Sequence, residues 1–226
     1  GKLSHAQLDQ ISTLPTRVKL SVALEFEKKY KLPIAFKELL LPSESKRDIG
    51  DKVYADISSL ATMFVTTNYD EWLDTPTPAT LDPSGEAVSS LSVVPDRKPF
   101  YKHADITAEN LDIPNAVFHI HGSVLDRESM VLTTVDYLER YSSHRIDGGK
   151  NHENPFLTFL EVLFKSKNVL FIGYGLHELE ILEYVVQKGI EKPAISDEEP
   201  QHYVLQGFFS HEIELARSLE GYFRQF

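Results

Sequence analysis

The chain contains no cysteine, which excludes disulfides, thiol nucleophiles and cysteine-ligated zinc. No apolar run approaches the roughly 18 residues that a membrane-spanning helix needs. The start, Gly1-Lys2-Leu3-Ser4-His5, lacks a charged segment followed by an apolar core, so no secretory leader is read there. Basic charge is also short: 23 Lys and Arg stand against 34 Asp and Glu, a net charge of −11. That balance argues against a broad nucleic-acid surface or an anionic-membrane footprint. The local cluster Lys28, Lys29 and Lys31 reads as a solvated helix end. No GxSxG occurs, so the nucleophile elbow of an α/β-hydrolase is missing. Glycine is scarce in the first half, where only Gly1, Gly50 and Gly85 precede Ile106. With no thiols, leader or spanning segment, the expected compartment is the cytoplasm.

What remains is an ordinary globular composition, 42% hydrophobic and 25% charged over 226 residues. A chain of this length buries about 70% of its unfolded surface and folds without staples. Residues 5–41 carry helical spacing, with Leu20, Ala23 and Leu24 on one face and Val22 and Phe26 as an i, i+4 pair; Pro33 and Pro42 punctuate it. Residues 43–52 read as a polar loop. Residues 61–66 read as a buried strand ending at Thr67-Asn68-Tyr69-Asp70. The proline-rich stretch 74–99 reads as a long loop or flap. Val117 to His121 reads as a second strand stopped by Gly122. A helix is expected over 134–141 with Thr134 as its cap, then a polar loop over 142–154 containing Gly148-Gly149.

Asn154-Pro155 opens a strong helix, cap followed by proline at the first position, with an apolar stripe of Phe156, Phe159, Leu160, Leu163 and Phe164. Residues 168–172 read as a strand whose apolar run suits a parallel sheet covered on both faces. Gly173-Tyr174-Gly175 turns the chain into a helix over roughly 178–188, ended by Gly189. His202 to Leu205 reads as a fourth strand, and a last helix carries Ile213, Ala216, Leu219 and Phe223. Strands alternating with helices predict an α/β fold with a mostly parallel sheet.

Three segments could carry chemistry. Thr66-Thr67-Asn68-Tyr69-Asp70 sits at a strand end, where open α/β sheets bind ligands; the same residues also suit a simple turn. In His119-Ile120-His121-Gly122, alternation along a strand would put both histidines on one face. His121 could act as a general base near neutral pH. No third residue at metal-like spacing accompanies the pair, and His119 reads as a hydrogen-bonded structural residue. Phe171-Ile172-Gly173-Tyr174-Gly175-Leu176 is a glycine turn that lets a ligand approach the backbone, though tight turns need glycine anyway. Glu178 and Glu180 would repel a phosphate at the following helix N-terminus, so a ribose fits that place better.

Taken in order, the TTNYD segment, the HG pair and the GYGL turn resemble the SIR2-like (sirtuin-like) family. Val131-Leu132-Thr133-Thr134 with Asp136-Tyr137, and Leu219-Glu220-Gly221-Tyr222-Phe223, resemble its flanking segments, and the likeness covers residues 60–226. The resemblance implies a Rossmann-like, mostly parallel sheet with flanking helices and a small helical module. Residues 1–60 would be the helical part and 61–226 the core of a single domain, expected to be a fragment of a longer protein. It implies NAD as substrate, with Asn68 and His121 at the chemistry. Thr66, Thr67, Asp70, Gly122, Gly173, Tyr174 and Gly175 would bind the dinucleotide.

Deacylating sirtuins usually carry a four-cysteine zinc module, which this chain cannot build, so no zinc is expected. The resemblance is therefore to the NADase type known from bacterial anti-phage systems, whose members often form homo-oligomers or sit beside further domains. The family's usual first strand and GAGxS-like phosphate loop have no counterpart among the early glycines. That departure opens an alternative, a non-catalytic SIR2-like module for nucleotide sensing or protein interaction.

Overall fold

The computed structural model describes residues 3–40, 44–75, 96–142, 144–147, 150–173 and 202–224. They form a mixed α/β protein with short, mainly parallel sheets. The chain divides into two compact units, one made of residues 1–106 and 112–142, the other of 107–111 and 143–226.

The first unit begins with four helices, α1 (His5–Ser12), α2 (Thr16–Tyr30), α3 (Phe36–Leu40) and α4 (Glu44–Ser58). Ser4 opens α1 through a reciprocal capping box with Gln7. Helix α2 ends on Lys31 in the left-handed region, at φ 53°. Glu27 near its end accepts from the Ile34 N–H at 2.7 Å and pairs with the Arg127 guanidinium. That guanidinium holds the Glu27 carboxyl below the usual carboxylate range. Helix α4 corrects the expected polar loop over 43–52. Its inward residues, Gly50, Tyr54 and Ile57, recur at i, i+4 and i+7, a stripe hidden by the charges around it.

Three parallel strands follow in the order β1-β3-β2: β1 (Phe64–Thr66), β2 (Lys98–Phe100) and β3 (Ala116–His119). Strand β2 was not foreseen within the proline-rich stretch. Pro99 is tolerated because β2 lies at the sheet edge, where a missing N–H is not needed on the outer side. The central strand β3 is buried along its whole length. Phe118 is fully buried and stacks on Phe100 at 5.1 Å, a burial contributing about 1.5–3 kcal/mol. Phe64, Leu73 and Val117 form a core cluster under Tyr54 and Ile57. Helix α5 (Thr134–Tyr141) closes this unit. Its cap is Thr133 rather than Thr134, in a reciprocal box with Asp136.

In the second unit, β4 (His144–Asp147) and β5 (Lys150–Glu153) pair antiparallel, so the expected polar loop is a hairpin. Its residues lack the apolar alternation that marks a half-buried strand. Helix α6 (Pro155–Ser166) starts at Asn154, whose side chain accepts from the Phe156 N–H at 3.1 Å. The whole expected apolar stripe of α6 is buried. Strands β6 (Val169–Ile172) and β7 (His202–Leu205) pair in parallel, with Phe164 against Phe171 and His202. Leu170, Tyr203 and Leu205 are exposed, so this pair is not covered on both faces as its apolar run suggested. Helix α7 (Ile213–Phe223) ends the described chain. The helix expected over 178–188 and the glycines 148 and 149 lie outside the described residues. Among the described residues no helix is long and apolar enough to cross a membrane.

Candidate functional site

The first unit gathers polar side chains at one end of its sheet. Thr66 and His119 are register partners at the carboxyl ends of β1 and β3, and the Ile120 N–H extends the ladder to the Thr66 carbonyl at 3.0 Å. The Thr67–Asp70 and Ile120–Gly122 segments therefore leave adjacent parallel strands at the same end. They are tied further on: the Val124 N–H donates to the Tyr69 carbonyl at 2.9 Å, and the Tyr69 hydroxyl donates to the Val131 carbonyl at 2.6 Å.

Asn68 is exposed yet held at three points. Its N–H donates to Thr66 Oγ1 at 3.0 Å, its Nδ2 donates to the Tyr54 hydroxyl at 3.2 Å, and its carbonyl accepts from His119 Nδ1 at 3.3 Å. Tyr54 stacks on Trp72 at 5.3 Å. Trp72 in turn lies over Gly50, where a Cβ would sit 2.4 Å from its ring. Thr67 is half-buried between these anchors.

The Trp72 N–H donates to Asp70 Oδ1 at 3.2 Å. Burial pushes the Asp70 carboxyl above its ordinary range, opposed by the Trp72 N–H and by His119 and reinforced by Asp74. Burial likewise raises the Tyr54 hydroxyl, with the negative Asp70 adding to the shift. Ionisation of either group is thus coupled to the other.

His121 is 6% exposed. Strand β3 ends at His119, so His121 sits in the turn beyond it and strand alternation does not apply; the two histidines enter different surroundings. His119 faces Asn68 and Asp74. His121 instead contacts the Tyr141 hydroxyl through Nε2 at 3.0 Å and meets Tyr137 edge-on at 5.6 Å. Tyr137 and Tyr141, one turn apart on α5, stack at 4.5 Å. Arg17 caps the Tyr137 ring from α2 at 3.7 Å. Arg140 Nε donates to the Ile120 carbonyl at 3.1 Å, fixing the backbone just before His121.

Gly122 has φ +81°, and a Cβ there would lie 2.2 Å from the Ser129 carbonyl oxygen. In the second unit Gly173 has φ +63°, and among the described residues nothing lies within 4 Å of where its Cβ would be. Tyr174 and Gly175 lie outside the described residues. Among the described residues no group of three or more His, Cys, Asp or Glu could hold a metal ion.

Sequence reasoning did not place Tyr54, Trp72, Asp74 or Tyr141 at the site, and named Tyr137 only in a flanking segment of the resemblance. Trp72 is the sole tryptophan and follows Asp70 by two residues, and Tyr137 and Tyr141 are spaced i, i+4; both were available signals. Nothing in the sequence linked Tyr54, on a helix read as starting in a loop, to Asn68.

Polar and titratable side chains thus gather at the carboxyl ends of adjacent parallel strands, the place where α/β proteins bind their ligands. A family model described as SIR2-like domain matches residues 62–224, and the chain belongs to that family, which binds NAD and includes NAD-dependent enzymes. No curated protein and no solved structure matches the chain.

Proposed function

We propose that this chain is the catalytic core of an NAD+ hydrolase, the effector part of a cytoplasmic bacterial anti-phage protein that works as a homo-oligomer or beside further domains. In this reading both units belong to one SIR2-like domain with a Rossmann-like sheet. The observation that carries it is the convergence of Asn68, Asp70 and His121 on the same end of paired strands β1 and β3, within a SIR2-like chain.

The reaction breaks the bond between nicotinamide and ribose. Its electron pair passes to the ring nitrogen and neutral nicotinamide leaves. A water oxygen bonds to the ribose carbon, and the water's proton passes to the base. Positive charge builds on the ribose in the transition state, and ionised Asp70 stabilises it or orients the amide. Asn68 positions the water. His121, oriented by Tyr141, accepts the proton. Thr66, Thr67 and Gly122 line the nicotinamide side.

One observation favours the second reading, a non-catalytic nucleotide-sensing or interaction module. Of the three glycines ahead of Ile106, Gly50 lies within α4 beneath Trp72 and serves packing rather than a phosphate loop.

NAD consumption by the purified chain, beside a version extended along its parent gene in both directions, separates the two. Turnover by either form, abolished in Asn68→Ala, supports the hydrolase. If neither form consumes NAD, the module reading stands.

Two further variants probe the site. Tyr54→Phe keeps the ring on Trp72 but removes the hydroxyl that receives Asn68 Nδ2, and turnover is expected to fall about three- to tenfold. Unchanged turnover would show that Asn68 does not depend on that contact. Asp70→Asn separates stability from activity. The folded carboxyl titrates above its unfolded value of 3.8, so its contribution to stability is full below that value and is lost as pH rises through the folded one. The Asn variant should therefore melt higher than wild type at neutral pH, with the gain vanishing as pH is lowered toward 3.8. Its turnover should drop roughly tenfold or more. A melting temperature equal to or below wild type at neutral pH would contradict the burial argument.

A further inference from the structure

His119 is fully buried, and its two ring nitrogens are both engaged: Nδ1 with the Asn68 carbonyl at 3.3 Å, Nε2 with Asp74 Oδ1 at 2.7 Å. A carbonyl oxygen only accepts, so Nδ1 carries a proton. The second proton lies in the Nε2–Oδ1 contact, on the ring facing an aspartate or on Asp74 facing a neutral ring. Either arrangement leaves Nδ1–H aimed at Asn68. The Asp74 side chain is 8% exposed, and among the described residues its Oδ2 has no hydrogen-bond partner. Among those residues His119 is the hydrogen-bonding partner of that buried acid, and the pairing locks the ring against rotation.

We propose that Asp74 and His119 form a buried clamp that positions Asn68 for the reaction, an inference that rests on the hydrolase reading. Asn68 lies past the last ladder pair of β1, so no strand partner fixes its backbone. The clamp holds its carbonyl, Thr66 Oγ1 holds its N–H and Tyr54 holds its amide nitrogen. An exposed side chain that must place one water within a few tenths of an ångström needs its backbone immobilised. The clamp does this from the core side and leaves the Asn68 side chain accessible. His119 and Asp74 are positioning residues in this arrangement, two and four residues from His121 and Asp70.

Two substitutions dissect it in whichever form of the protein turns over NAD. In His119→Asn the amide nitrogen occupies the place of Nδ1 and keeps the donor to Asn68 while the reach to Asp74 is lost. In His119→Gln the amide reaches Asp74 and the Asn68 contact is lost. The Gln variant should show kcat lowered about hundredfold with KM within about twofold of wild type, while the Asn variant keeps kcat within about fivefold. Wild-type kcat in a folded Gln variant overturns the clamp, as does equal impairment of both variants.

A second measurement does not depend on catalysis or on either variant folding. In the ¹⁵N-labelled wild-type chain, the His119 ring should show a protonated Nδ1 whose hydrogen exchanges slowly with solvent. An unprotonated or rapidly exchanging Nδ1 overturns the clamp by itself. A slowly exchanging Nδ1–H in a protein that consumes no NAD upholds the geometry and removes the hydrolase reading alone.

Discussion

Asn68→Ala and His121→Ala are each expected to lower NAD consumption by about 10³-fold, in the range that removing a positioned general base or water-orienting group produces. The two substitutions should differ in what else they change. Asn68 is exposed, and its side chain makes one hydrogen bond, to Tyr54; its removal should leave the melting temperature close to wild type. His121 is buried against Tyr137 and Tyr141, so its truncation opens a gap under α5 and should also cost about 1–3 kcal/mol of stability. His121→Gln, which refills part of that space, separates the effects: stability recovers and turnover does not. Turnover measured beside thermal unfolding checks all three variants. Near wild-type turnover in folded Asn68→Ala or His121→Gln would sink the assignment of that residue to the chemistry.

Gly122→Ala is expected to be the most damaging single methyl that can be added to the described chain. The new Cβ would lie 2.2 Å from the Ser129 carbonyl oxygen, 2.4 Å from its carbon and 2.7 Å from the Met130 nitrogen. These are backbone atoms that no rotamer change can move. The φ of +81° adds the strain of a left-handed side chain. Together they should cost about 3 kcal/mol or more, a fall in melting temperature of roughly 6–12 °C for a chain of this size. Gly173→Ala is the internal comparison. Its φ is +63° but among the described residues nothing lies within 4 Å of the added carbon, so the conformational cost of about 1–2 kcal/mol is what is expected there. Equal effects at the two glycines would show that the 122–130 backbone gives way more easily than its contacts suggest.

The glycine beside His121 thus has a fold-level reason to be glycine, independent of any ligand. The strand-end placement of Asn68 and His121 was legible because β1 and β3 carry β-prone runs that stop at turn residues. Helix α6 was legible because Asn154-Pro155 and a full apolar stripe agree with one another. Helix α4 was not, because its half-buried stripe contains Gly50 and the charges around it mimic a loop. Strand β2 was hidden by Pro99, which is permissible only at an edge, and edges are a property of the sheet rather than of the segment. The divergence of His119 and His121 was missed because β3 ends one residue after Phe118, and alternation holds only while the strand lasts. The His119 ring, backed by Asp74, and the hydroxyl of Tyr54 reach Asn68 from separate elements. Such contacts depend on packing that no local pattern records.

The parallel pairing of β1 with β3 brings Asn68 and His121 to one end of the sheet although a long stretch of chain separates them. Among the described residues, Asn68 is held by Thr66, by Tyr54 on α4 and by the Asp74–His119 pair. Chain inserted between Thr75 and Asp96 would leave every one of these anchor residues in the sequence. Loop-closure entropy grows only with the logarithm of length, so doubling a flexible connection costs about 0.6 kcal/mol. The proposed reacting groups are in this sense insulated from length variation next to them: relatives could diverge in what they hang between β1 and β2 while inheriting the same arrangement of Asn68.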